Sequence, residues 1–362
     1  MKKLLLVAGM LFSFLAGNAQ QQAWLTQNTG FTPASSGVRY ISAVDTNVLW
    51  ICSYDGSGGG VSRQDFSTSS NGGLTWTAGN IPIDTGYSWS MINGVDASTA
   101  FAMFYDNTAG VGGVVYKTTD GGTTWTQTGA GLFNLSGSFP DCIHFWNQNE
   151  GFMLGDPTSL QWEIYHTMDG GATWTQVSGV PNANSSAEYG IVGHYCVLGD
   201  HVWFDTNKGR VYHSRDRGLT WTVASTGITV PTNYAIDIAF SDTLHGIARL
   251  YNASNVNTVR YTSDGGATWT TGTVTGFILG SDLKYIPGTA QSFIATGAVT
   301  TATTLYGTAT STDGGHTWAR WDSSAQRTAL GVVDSLDCAI GKRCLVSTVC
   351  KVDNLDYLAG ID

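Results

Sequence analysis

Six Asp or Asn residues stand at matched places in this chain, each two positions after a Ser or Thr and four before a Thr-Trp pair. They are Asn71, Asp120, Asp169, Asp216, Asp264 and Asp313, in the segments SSNGGLTW, TTDGGTTW, TMDGGATW, SRDRGLTW, TSDGGATW and STDGGHTW. A carboxylate beside hydroxyls could serve as a general base or hold a cation. A catalytic group is needed once, however, and six copies point to a building rule. The substitutions agree. Asn71 keeps an acceptor oxygen, Arg217 replaces the first Gly, and the second Gly is never replaced. In a tight turn Gly supplies φ > 0, the Asp oxygen accepts turn N–H groups, and Trp offers a large apolar face to a neighbouring sheet.

Other residues suit other chemistry. Cleaving a glycosidic bond takes two carboxyl groups about 5–9 Å apart. Glu occurs only at 150, 163 and 188, and Glu163 with Glu188 is the pair such a mechanism would use. Tyr54, Trp89, Tyr105, Trp162 and Tyr189 lie in segments that also hold Asp or Glu, a mixture that suits sugar rings or a peptide. Asp205-x-Asn207-x-Gly209 has the look of a calcium-loop start, but no helices flank it and a hairpin turn accounts for it equally. The seven His show no ligand spacing and no Cys/His set suits zinc, so neither metal nor cofactor is expected. No nucleophile elbow is present.

The elements that must position these groups follow from the period. The six box Trp fall at 76, 125, 174, 221, 269 and 318, intervals of 47 to 49 residues. Between boxes lie short apolar runs with Gly-rich breaks, such as WSMINGVD, TAFAMFY and GVVYKT. Four short strands per repeat describe an antiparallel propeller blade. The fold expected is all-β, a propeller of seven four-stranded blades, with six as the alternative. The segment after Gln20 resembles a post-box strand, so an N-terminal strand is expected to close the last blade. In such blades the boxes are turns between the third and fourth strands. The opposite face, built from the 2–3 loops and the blade-to-blade loops, is where a ligand is expected.

Residues 1–19 read as a secretory signal peptide: Lys2 and Lys3, an apolar run from Leu4 to Leu15, then small residues to Ala19. The propeller is assigned to 20–362. That run is too short to span a bilayer, so the mature chain is expected to be extracytoplasmic, without a membrane span, and monomeric. After removal of the leader, 15 basic residues face 27 acidic ones, a balance that speaks against nucleic acid as partner. Cys52, Cys142 and Cys196 sit in apolar strand-like runs and read as buried thiols. Cys338, Cys344 and Cys350 cluster near the end and could form one bridge.

The pattern Ser/Thr-x-Asp-Gly-Gly-x-Thr-Trp is that of the Asp-box, or bacterial neuraminidase repeat. It resembles the propellers of sialidases, sortilin-type receptors, some endoglucanases and photosystem II assembly factors. EGFMLGDP (150–157) and WFDTNKGRVYHS (203–214) most resemble secreted bacterial proteins of the assembly-factor-like type. A sialidase would need an Arg-Ile-Pro segment near its start, and Val38-Arg39-Tyr40-Ile41-Ser42 lacks the Pro. The resemblance implies a fold that hosts enzymes, receptors and scaffolds alike. The expected function is non-enzymatic binding of a protein or glycan through the loop face. The alternative is an extracellular glycoside hydrolase.

Overall fold

A computed structural model describes residues 27–32, 35–108, 112–251, 258–298, 305–323, 325–333 and 345–348. Six four-stranded antiparallel blades follow one another, at 36–80, 87–128, 140–176, 190–225, 235–271 and 282–322. The sixth carries an additional two-residue strand, Thr275–Gly276, parallel to its outer strand. The chain is a β-propeller.

The expectation of seven four-stranded blades is corrected here. Where a seventh would stand, Arg327–Gly331 pairs with Leu345–Thr348 as a two-stranded sheet. It packs against the inner strands of blades 1 and 6 and so occupies the gap between them. Dividing chain length by the repeat counted residues, whereas a blade is made of paired strands. The expected signal peptide, the expected N-terminal closing strand from Trp24, and Cys338, Cys344 and Cys350 lie outside the described residues.

Blades stack face to face, so their middle strands are buried on both sides. Ala100–Asp106 (AFAMFYD) is covered at all but its last residue and shows no polar alternation. Outer strands such as Thr175–Gln176 lie open to solvent. Aromatic rings fill the seams. Phe101 stacks on Phe145 between blades 2 and 3, Trp162 meets Phe204 edge-on between blades 3 and 4, and Trp203 stacks on Phe240 between blades 4 and 5. Each fully buried ring contributes roughly 2–3 kcal/mol by leaving water. Indole N–H groups pin the same seams, from Trp50 to the Asp96 carbonyl, Trp146 to Gly199 and Trp203 to Gly265, at 2.8–2.9 Å.

All six boxes are built alike. The leading Ser or Thr hydroxyl donates to the Asx Oδ1 at 2.8–3.0 Å and accepts the N–H of the second Gly at 2.8–3.0 Å. The same Oδ1 accepts the N–H of the box Thr at 2.8–2.9 Å. The first-Gly position donates its N–H to a carbonyl in the 1–2 turn of its own blade, for example Gly121 to Ser98 and Gly314 to Gln291. Boxes and 1–2 turns therefore share one face of the disc. The second Gly is confined twice over: Gly122 has φ +88°, and a Cβ there would lie 2.5 Å from the Phe66 ring of the preceding blade.

Candidate functional site

The face opposite the boxes is shaped by irregularities in the innermost strands. In blades 1, 2 and 3 the inner strand bulges by one residue, at Arg39, Ser90 and Asp141. A bulge re-aims the side chain it carries. Ser90 Oγ donates to the Pro140 carbonyl of the next blade at 2.7 Å. Asp141 meets the first residue of blade 4: a Cβ on Gly190 would lie 2.3 Å from its carboxylate. In blade 4 the bulge is longer, with four residues, 191–194, opposite Asp205 alone.

Around Asp141 the structure gathers three acids. Asp141, Asp156 and Glu163 are all buried. Burial drives the Asp141 and Asp156 carboxyls upward, and Asp156 reaches about 7 although the Gly190 N–H, at 2.7 Å, pulls it down. The Asp156 charge and its hydrogen bond to Asp141 raise Asp141 further. Glu163 accepts from the Tyr165 hydroxyl at 2.9 Å and from Ser138 Oγ. Glu188 is a separate, saturated carboxylate. It accepts Arg210 Nη1 at 2.7 Å, Thr206 Oγ1 at 2.8 Å and the Asn184 N–H. Both glutamates are thus spent on internal donors.

A second cluster joins the first two strands of blade 4 to the innermost strand of blade 5. His194 stands on Gly190–Leu198, Asp205 on His201–Thr206, and Asp237 on Ala235–Phe240. One imidazole nitrogen and one oxygen from each carboxylate lie within 4.8 Å of one another. His194 Nδ1 is 3.5 Å from Asp205 Oδ1 and 3.1 Å from the Ile236 carbonyl. Arg249 Nη2 donates to Asp237 Oδ2 at 2.9 Å, and Lys284 lies 3.5 Å from Asp282. Burial lifts Asp205 to about 7 against the pull of His194. Burial alone would lower His194, but the Asp205 carboxylate outweighs it and raises the imidazole.

Of the aromatics singled out for binding, Trp89, Tyr105 and Trp162 are buried. Trp89 packs on Phe104, Tyr105 on Phe139, and Trp162 between Phe204 and Tyr212. Tyr54 and Tyr189 are half-buried, Tyr54 lying over Gly37. Asn71, Asp120, Asp169, Asp216, Asp264 and Asp313 are all in the box turns on the other face. Asn207 does turn work, accepting the Tyr189 N–H at 3.0 Å, while Asp205 beside it points into the second cluster. Sequence reasoning passed over His194 and Asp237, because positions 194, 205 and 237 have no ligand spacing.

Val61 and Leu135 are exposed apolar residues on loops of this face. The Gly-rich loop bearing Val61 is pinned by Asp55, which accepts the Ser57 and Val61 N–H groups and Arg63 Nη2 at 3.1–3.2 Å.

The boxes and blades define the class: this is an Asp-box β-propeller. A family model described as photosynthesis system II assembly factor YCF48 matches residues 95–229, essentially blades 2 to 4. A solved YCF48 bound to D1 peptide is 16% identical, with a TM-score of 0.58 over 91% of this chain and 99% of that one. A catalytically inactive virginiamycin B lyase from Staphylococcus aureus, solved with quinupristin, is 12% identical, TM-score 0.55, over 84% and 91% of the two chains. An ancestral GH74 enzyme is 17% identical, TM-score 0.53; the match takes in 82% of this chain but 40% of that one. At such identities these likenesses show the fold. No curated protein matches the chain.

Proposed function

We propose that this chain is an exported, monomeric, non-enzymatic propeller that binds an extended segment of a partner protein across its loop face. The observation that carries this reading is the contrast on that face. The glutamates an enzyme would use are consumed by Ser138, Tyr165, Thr206 and Arg210. Apolar Val61, by contrast, stands 57% exposed on a loop held rigid by Asp55. Rigid loops with exposed apolar tips bind at low entropic cost. The solved YCF48 with its D1 peptide supports a peptide-like ligand for this fold. Export through residues 1–19 is part of the proposal, and the mature protein would start at Gln20.

The hydrolase reading has one observation in its favour, the raised carboxyls of Asp141 and Asp156. Asp141, Asp156 and Glu163 are at most 8% exposed, which leaves no room there for a sugar ring.

The test pairs a peptide array and a glycan array with hydrolysis assays on every glycan bound, using protein from Gln20 onward. Peptide binding without turnover is expected, weakened about tenfold or more by Val61→Asp, a size typical of a central apolar contact. Glycan binding alone would replace the protein partner by a sugar, and turnover would overturn the reading. Terminal sequencing of the exported protein should begin at Gln20, and size-exclusion should give one chain.

A further inference from the structure

The second cluster has a feature that hydrogen bonding within the protein leaves unexplained. Asp205 is fully buried, and neither carboxylate oxygen accepts a hydrogen bond. A buried polar group without a partner is costly, and a buried charge far more so. His194 Nδ1 stands off at 3.5 Å from Asp205 Oδ1, beyond a good hydrogen bond.

We propose that His194, Asp205 and Asp237 form a binding site for one divalent transition-metal cation, of the Zn²⁺ or Mn²⁺ class, tying blade 4 to blade 5. One imidazole with two carboxylates is a donor set that such ions accept. Tetrahedral ligand atoms bonded at about 2.0–2.2 Å stand roughly 3.4 Å apart. The three groups, whose atoms lie within 4.8 Å of one another, would close on the ion by side-chain rotation. Arg249 Nη2 donates to Asp237 Oδ2 at 2.9 Å and so orients this carboxylate. The His194 side chain retains 11% exposure, so the cluster is not sealed from solvent. The long bulge at 191–194 is what carries His194 to Asp205, and no such bulge occurs in blades 1 to 3.

The experiment uses the whole mature protein, stripped with chelator and titrated separately with Zn²⁺, Mn²⁺, Ca²⁺ and Mg²⁺ by calorimetry, with bound metal counted by mass spectrometry. One Zn²⁺ or Mn²⁺ per chain is expected, with a rise in Tm and little response to Ca²⁺ or Mg²⁺. Asp205→Asn, which keeps the shape, should weaken binding about 100-fold or more, and His194→Gln likewise. Circular dichroism checks that both variants fold. Equal metal affinity in Asp205→Asn would overturn the proposal. So would the absence of stoichiometric metal together with a higher Tm for Asp205→Asn, since a proton would then be what neutralises the cluster.

Discussion

The ring of Tyr40, on the innermost strand of blade 1, lies against the bare Cα of Gly193 on blade 4. A Cβ at 193 would stand 3.1 Å from it. Blades 1 and 4 are far apart around the disc, so this contact spans the axis and blocks it at that level. Gly193 also has φ +75°, a region that side chains rarely adopt.

Gly193→Ala should therefore destabilise on two counts, by about 1–3 kcal/mol in all. Tyr40→Ala in the same chain should recover part of the loss, because it removes the steric count and leaves the backbone one. Denaturant unfolding of the two single variants and the double variant separates these terms. Additive losses would mean that the two residues do not press on each other.

The two Gly of each box should respond differently to change. Arg217 occupies a first-Gly position at φ +59°. Its Nε donates to Asp200 Oδ1 at 2.7 Å and its Nη1 to Glu150. Arg217→Gly relieves the backbone by about 1 kcal/mol and loses two solvent-screened ion pairs, to Asp200 and Glu150. The net change should be near zero at low salt and stabilising at high salt, where the pairs are screened. Gly122→Ala should cost more than about 2 kcal/mol, because strain and the clash with Phe66 add. Thermal unfolding at two salt concentrations reads both.

Stability should fall away on two separate limbs of pH. Hydrogen bonds from Thr173 and Thr268 hold Asp169 and Asp264 down at about 2, below the ordinary 3.8. Their contribution is whole above about pH 4 and is lost as pH falls toward 2. Burial raises Asp156 to about 7, so its contribution is present at acid pH and lost as pH rises from about 4 through 7. Asp156→Asn keeps an acceptor for the Gly190 N–H and offers a permanent donor to Asp141. It should lessen the upper limb, to which Asp141 and Asp205 also contribute, leave the lower limb unchanged, and be more stable than the parent at pH 8, by about 1–2 kcal/mol. An unchanged slope between pH 5 and 8 would show that the pair holds no proton.

Much of the building rule was legible because it is local. Ser or Thr, Asp, Gly-Gly and Thr act within eight residues, and their hydrogen bonds close as the residue types require. A second local repeat escaped notice. Asp45, Asp96, Asn147 and Asp242 each accept two N–H groups in a 1–2 turn, although no shared motif surrounds them. The aromatic loop residues were misleading for the opposite reason. Trp89 and Trp162 stand beside loops in sequence, but blade stacking covers both their faces.

By itself the sequence determined the repeat, the all-β propeller class, and the separation of the box face from the loop face. Each follows from contacts a few residues apart. Only the tertiary structure decided that six blades are four-stranded and that a two-stranded sheet stands between the last and the first. It also decided that Tyr40 crosses the axis, and that His194, Asp205 and Asp237 converge. Those relations depend on ring closure and on how far each inner strand bulges, which join residues tens to hundreds of positions apart and leave no spacing in the chain to read.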